Sequence, residues 1–230
     1  MAGVPEPPAS APHPEVVPPQ SATGGEQHEA FFRLYGAWQH TTPAQAVELL
    51  HGFDRPWWIS GGWAVEAFTG VSRPHDDVDV TIFRADVAEL RHHFAGTHHL
   101  WAAGSGTLRP ITDERPRMPA WAGQIWVREH ALAPWLLDVV VNQGSRRGWI
   151  FKRDPAYVRP LSEVTWVAAD GVRYLNPELV LGHKVALNRA KDAIDLASTL
   201  RLLDADRRAW LRSYVVASHP GHPWLAHPEL

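Results

Sequence analysis

The chain has 230 residues, enough for one hydrophobic core with a smaller appended part, so its size does not require disulfides or metal ions for folding. The absence of cysteine excludes disulfides, thiolate nucleophiles and cysteine-ligated zinc, and it fits a reducing compartment, which predicts a cytoplasmic protein. The net charge is −3 and no apolar run reaches the roughly 18 residues of a membrane span, so membrane insertion and broad nucleic-acid binding are both disfavoured.

The chain is predicted to have three parts. Seven prolines in the first twenty positions, followed by S-A-T-G-G, predict a disordered tail over residues 1–28. Alternating strand and helix patterns predict a main domain over residues 29–170. From Asn176 the pattern becomes helical, which predicts a C-terminal helical domain over residues 171–230. Whether the protein is a monomer or a homodimer stays open.

The elements predicted for the main domain alternate between helix and strand, which indicates an α/β (α+β) fold with a mixed central sheet flanked by helices. In chain order they are helices over 29–38 and 43–53, a strand over 56–60, a helix over 63–68, a strand over 77–83, a helix over 85–94, a long loop over 104–122, and strands over 123–129 and 135–142.

A glycine pair, Gly61 and Gly62, follows Ser60 at the junction of the first strand and its helix. The missing side chains would let a phosphate approach backbone N–H groups at the positive end of the helix. A tight turn that needs positive φ is the commoner explanation of an isolated glycine pair, so this motif depends on what accompanies it.

Two acids, Asp77 and Asp79, lie two residues apart in D-V-D-V and therefore point to the same face of the predicted strand. Their mutual repulsion is tolerable when a cation lies between them, and Mg²⁺ prefers carboxylate oxygens. The alternative is a surface strand whose acids are solvated. Asp76 is expected to point away from the pair.

A third acid, Asp138, lies in the apolar run W-L-L-D-V-V-V-N, which is typical of a central strand buried on both faces. A carboxylate in such a strand is unfavourable unless it is paired, protonated or bound to metal. The alternative is an acid at the exposed edge of a half-buried strand.

The order of these motifs resembles the DNA polymerase β-like nucleotidyltransferases. Within that superfamily, I-S-G-G-W-A-V-E-A, R-P-H-D-D-V-D-V, W-L-L-D and V-R-Y-L-N-P-E-L-V-L-G-H-K with K-D-A-I-D-L are similar to the aminoglycoside 2''-adenylyltransferase type over about residues 50–200. The 14-residue gap between Gly62 and Asp77 is toward the long end for the superfamily.

The resemblance implies a transferase that moves a nucleoside monophosphate, AMP from ATP or another nucleoside triphosphate, to a hydroxyl of a small molecule such as an aminoglycoside, with release of pyrophosphate. It implies that Asp77, Asp79 and Asp138 hold two Mg²⁺ ions, and that Asp138 is also cast as the general base. Ser60, Gly61, Gly62, Lys184 and Lys191 would bind the nucleotide.

The two lysines would share one face if their helix were continuous, since seven residues separate them. A solvated Lys191 paired with Asp195 is the alternative to a triphosphate contact. Arg73 and His75 could also reach phosphate, although a turn-stabilising role is favoured.

Two other functions stay open at this point. An RNA-modifying nucleotidyltransferase, such as a toxin acting on tRNA, is favoured modestly by Arg109, Arg115 and Arg117, and the neutral charge of the chain beyond residue 28 argues against it. A non-catalytic nucleotide-binding protein on the same scaffold is the third reading, which three intact acids disfavour.

Overall fold

The structure is a computed structural model that describes residues 25–230, the side chains at 25–28 and 30 excepted. Most of the predicted tail, residues 1–28, therefore lies outside the described residues, and the first helix begins at Gly25. In the described part of the chain, no helix is long and apolar enough to cross a membrane.

Helices and strands alternate through the first two thirds of the chain, as predicted, and helices dominate its end. The helices are α1 (Gly25–Tyr35), α2 (Pro43–Leu49), α3 (Gly61–Thr69), α4 (Val87–His93), α5 (Leu161–Val164), α6 (Pro177–Lys184), α7 (Ala190–Leu200) and α8 (Ala205–Ser218). The strands are β1 (Trp57–Ile59), β2 (Asp79–Phe83), β3 (His99–Gly104), β4 (Thr107–Ile111), β5 (Gln124–Arg128), β6 (Leu137–Asn142), β7 (Trp149–Phe151), β8 (Asp154–Arg159), β9 (Thr165–Val167) and β10 (Arg173–Leu175).

Eight of the described strands form one mixed sheet in the order β4-β3-β5-β6-β2-β1-β10-β9, and β7 pairs with β8 in a separate ribbon. The pairs β2–β6 and β1–β10 are parallel, and the other neighbours in the large sheet are antiparallel. The predicted fold class, a mixed sheet flanked by helices with a helical C-terminal part, is confirmed.

The centre of the sheet is buried by aliphatic residues on β2, β5 and β6. Val80 and Ile82 are fully buried on one face of β2, and Asp79 and Thr81 alternate with them on the other face. β6 is buried along most of its length, as the apolar run around Asp138 predicted. The functional strands are therefore held by the main core.

The prediction of a long loop over 104–122 is partly wrong, because this segment contains β4. The strand before it, β3, was not predicted. β4 pairs with β3 and forms one edge of the large sheet. Its sequence includes Pro110, which cannot donate a ladder hydrogen bond and is tolerated on an edge strand. Local pattern alone gave no sign of this pairing.

The C-terminal helices pack on α3 and on one another. α3 contacts α6 and α7, and α6 contacts α8. A second buried cluster, which includes Leu181, Leu200 and Leu211, joins these helices. The domain boundary at residue 170 stays a prediction, since β9 and β10 pair across it and β10 extends the main sheet.

The continuous helix on which Lys184 and Lys191 could share one face does not form. α6 ends at Lys184, Asn188 adopts a left-handed conformation with φ of 44°, and α7 begins only at Ala190. Asn tolerates this conformation better than most residues. The two lysines therefore lie on different helices and approach the site from different elements.

Candidate active site

The glycine turn connects β1 to α3 and lies directly against the second acid. Gly61 has φ of +65°, and a Cβ atom built on it would fall 1.7 Å from Asp79 Oδ2. A side chain at this position would therefore clash with the carboxylate as well as strain the backbone. Glycine is required here by close approach, which the pattern of the sequence could only suggest.

The first turn of α3 has no side-chain cap. Ser60 is the N-cap residue, and its side chain makes no capping hydrogen bond. Its hydroxyl lies 3.1 Å from Thr81 Oγ1, and its N–H donates to the carbonyl oxygen of Asp79 at 2.9 Å. The N–H groups that begin a helix need an acceptor, and an anion is one that suits them.

The three predicted acids converge. Asp77 lies in the loop just before β2, Asp79 is the first residue of β2, and Asp138 is the second residue of β6. Each offers a carboxylate oxygen, and these oxygens all lie within 4.8 Å of one another. The prediction that Asp77 belongs to the strand is off by two residues, but its carboxylate reaches the same point.

The repulsion within this cluster acts on the pKa of one member, Asp77. Burial and the neighbouring Asp79 carboxylate raise the pKa of Asp77 to about 7, against the opposing charge of Lys191. Carboxylates that repel one another in a confined site favour either a proton or a cation. Oxygen donors at this spacing fit a hard divalent ion such as Mg²⁺.

Asp138 is the most buried of the three, with 1% of its surface exposed. Gln124 on β5 donates from its side-chain Nε2 to Asp138 Oδ2. Sequence reasoning missed Gln124, although a polar residue in the apolar strand G-Q-I-W-V-R was a usable signal.

A cavity of about 500 Å³ opens over the acids, within the range of small-molecule sites. Its wall includes all eight of the predicted site residues: Ser60, Gly61, Gly62, Asp77, Asp79, Asp138, Lys184 and Lys191. Further walls come from the β7–β8 ribbon and from Trp121. The structure thus brings the predicted residues together, while their roles stay predictions.

Lys184 and Lys191 differ in their surroundings. Lys184 is 5% exposed, and its Nζ lies 3.2 Å from Asp192 Oδ1 and 3.0 Å from Asp195 Oδ2. Lys191 is partly exposed and lies 3.5 Å from Asp76 Oδ2, and burial together with Arg189 lowers its pKa. The alternative pairing of Lys191 with Asp195 is therefore wrong, and Lys191 is the more accessible cation.

Arg73 ties the loop before the acids to the C-terminal helices. Its Nε and Nη2 donate to the two carboxylate oxygens of Asp195 at 2.8 and 2.9 Å. Burial raises the pKa of Asp195, but the hydrogen bond from Arg73 and the charge of Lys184 bring it below its ordinary value. Arg73 thus stabilises this loop, as favoured from the sequence.

His75 completes the packing of this loop beneath the cavity. Its ring stacks on Trp63 with centroids 4.1 Å apart, and its Nε2 lies 2.7 Å from Glu66 Oε2. Trp63 Nε1 in turn donates to the carbonyl oxygen of Asp77 at 3.1 Å. These contacts fix the backbone that carries the first acid.

Comparison with known proteins agrees with this geometry. Residues 44–99 match the family model described as aminoglycoside-2''-adenylyltransferase. The predicted family resemblance is thereby confirmed. The matched segment spans β1, the glycine turn and both acids of D-V-D-V, so the predicted enzyme class, a nucleotidyltransferase, is confirmed with it.

Two solved structures are also similar. A crystal structure of ANT(2'')-Ia in complex with adenylyl-2''-tobramycin is 17% identical, with 73% of this chain and 92% of that chain covered and a TM-score of 0.46. A solution structure of the antibiotic-resistance factor ANT(2'')-Ia is 18% identical, with 76% and 94% covered and the same TM-score. No curated protein sequence matches this chain.

Proposed function

We propose that this protein is an Mg²⁺-dependent nucleotidyltransferase that moves AMP from ATP to a hydroxyl of a small molecule and releases pyrophosphate. The observation that carries the proposal is the convergence of Asp77, Asp79 and Asp138 within 4.8 Å beside the glycine turn. The family match makes an aminoglycoside the first acceptor to test. The size of the cavity and the helix terminus without a side-chain cap are compatible with a nucleotide.

The three carboxylates are the residues that would hold two Mg²⁺ ions, because they provide only oxygen donors and repel one another without a cation. When bound, such ions neutralise charge on the triphosphate and lower the pKa of the acceptor hydroxyl. The remaining chemistry belongs to residues of the chain.

The nucleotide is assigned to the side of the cavity formed by the glycine turn. The first N–H groups of α3, beyond Ser60, would bind a phosphate, and the absence of side chains at Gly61 and Gly62 gives the phosphate access. Lys191 contributes a positive charge from α7. Lys184 lines the same cavity, and its two buried partners make it chiefly a support for α7.

The transfer step requires a base near the acceptor hydroxyl. Asp138 would take the hydroxyl proton while the hydroxyl oxygen attacks the α-phosphorus of the triphosphate. The bond between the α-phosphorus and the bridging oxygen breaks, and pyrophosphate leaves with both electrons of that bond. The protein's contribution is positioning and charge stabilisation.

The test is incubation with ATP, Mg²⁺ and a panel of aminoglycosides and other hydroxyl-bearing antibiotics, with pyrophosphate release and acceptor mass as readouts. The expected product is heavier by about 329 Da, one AMP unit. Asp79→Ala and Asp138→Ala should each lose at least about a thousandfold in kcat because they remove a metal-binding carboxylate.

A matched control is Asp113→Ala, which removes an exposed carboxylate that pairs with Arg91 away from the cavity. This variant should keep full activity. Full activity in both Asp79→Ala and Asp138→Ala would contradict the proposal. Incorporation of the nucleotide into RNA, and into no small molecule, would show that the acceptor is RNA.

A further inference from the structure

Gln124 lies beside the proposed base on a central strand. It is 5% exposed, and in the β5–β6 pairing it is opposite Val140, two residues from Asp138. Residues two apart on a strand share a face, so Gln124 is the diagonal neighbour of Asp138. Its Nε2 donates to Asp138 Oδ2.

The chemistry of the pair fixes the orientation of the amide. An ionised carboxylate can only accept hydrogen bonds, so the NH₂ group of Gln124 must face Asp138. The amide oxygen Oε1 is then turned away from Asp138, and it is buried without a hydrogen-bond partner among the described residues. Burial of this oxygen without a partner is unfavourable, and an apolar side chain at position 124 would avoid it. The hydrogen bond to Asp138 is therefore the physical reason for an amide at this position.

We propose that Gln124 is a positioning residue that sets the plane of the Asp138 carboxylate for cation binding and for proton removal from the acceptor. The inference deepens the proposed function and rests on it. Gln124 is anchored on a central strand, so its hydrogen bond to one oxygen of Asp138 restricts rotation of that carboxylate about χ2. Groups that orient metal ligands in this way typically matter 10- to 100-fold for metal affinity or activity.

The test compares Gln124→Met with Gln143→Met. Methionine preserves the length and approximate volume of glutamine and removes the donor. Gln143 lines the same cavity and is exposed at the end of β6, so its substitution changes the same chemistry without a contact to Asp138. Gln124→Asn is a second variant, which stays polar but is too short to reach the acid.

The first readout is direct Mn²⁺ binding by calorimetry in the absence of nucleotide and acceptor. We expect the Kd to rise about tenfold in Gln124→Met and Gln124→Asn and to stay unchanged in Gln143→Met. The second readout is steady-state kinetics. We expect kcat to fall about 10- to 100-fold in both Gln124 variants, with the KM for ATP within about twofold of the wild type.

Melting temperatures and circular dichroism of the variants separate positioning from folding, since a merely structural role would leave Mn²⁺ affinity unchanged in the folded fraction. Wild-type Mn²⁺ affinity and kcat in both folded Gln124 variants would overturn the inference. If the wild type releases no pyrophosphate with any acceptor, the proposed function fails instead, and the Mn²⁺ comparison still decides the role of Gln124.

Discussion

Asp79 lies directly opposite Asp138 in the parallel pairing of β2 with β6. Adjacent parallel strands in register place such side chains on the same face of the sheet, so the two carboxylates face one site without any loop movement. Asp77 joins them from the loop before β2. The site is thus organised by the centre of the sheet, and its geometry depends on the core that holds these strands.

Gly61→Ala should abolish activity, because the new Cβ would collide with the Asp79 carboxylate. The matched control is Gly70→Ala at the other end of α3, where φ is +69° and nothing lies within 4 Å of the new atom. Each variant should lose about 1 kcal/mol of stability from the left-handed backbone, and Gly61→Ala should lose more because of the clash. We expect kcat to fall at least about 100-fold in Gly61→Ala only, and equal activity in the two variants would contradict the close approach.

Asp77→Asn should stabilise the protein when divalent cations are removed with EDTA at pH 8. The pKa of Asp77 is raised to about 7 in the folded state, above its unfolded value of about 3.9, so its ionisation destabilises the fold increasingly between these values and fully above pH 7. The melting temperature should rise by roughly 3 °C or more at pH 8 and by little at pH 4.

Adding Mg²⁺ to the same samples is the control for this substitution. The wild type should gain stability because the ion binds the folded state, and Asp77→Asn should gain less. A variant that melts below the wild type in EDTA at pH 8 would show that Asp77 is held by favourable contacts and not by repulsion.

Divalent cation affinity should depend on pH through Asp77. Since a metal ion competes with the proton on this carboxyl, Mn²⁺ affinity should rise with pH until about 7 and then level off. Below pH 7 the slope should approach tenfold per pH unit. Calorimetric titrations between pH 5.5 and 8.5 measure it, and an affinity independent of pH in this window would contradict a protonated Asp77.

Substitution of Lys184 should mainly lower stability, whereas substitution of Lys191 should mainly weaken nucleotide binding. Lys184→Met removes the partner of two buried carboxylates and should cost about 3 kcal/mol or more in urea unfolding. Lys191→Met breaks only a 3.5 Å pair with Asp76 at a partly exposed position and should cost less than about 1 kcal/mol. Lys191→Met should instead raise the KM for ATP about tenfold, and the opposite ranking of the two effects would contradict these roles.

The parts of the site that the sequence predicted are those encoded locally. The strand, glycine turn and helix around Gly61 follow from patterns within about ten residues, and the acid spacing in D-V-D-V fixes a shared face. Asp138 stood out because a carboxylate interrupts an apolar strand. In each case the physical reason for the residue is contained in its neighbours.

The parts that the sequence did not predict depend on distant partners. β4 exists because it pairs with β3, and its Pro110 argued against a strand. The break between α6 and α7 lies in a stretch without glycine or proline. The chain turns there because Asn188 adopts a left-handed conformation and the N–H of Arg189 donates to Asp192. The contact between Gln124 and Asp138 also requires knowledge of which strands are adjacent.

The pair between Arg73 and Asp195 joins positions 122 residues apart. During synthesis the loop that carries Asp77 leaves the ribosome long before its anchor on α7 does. The loop that carries Asp77 can therefore be clamped only when most of the polypeptide has been made, and a chain interrupted before Asp195 would be left without this contact.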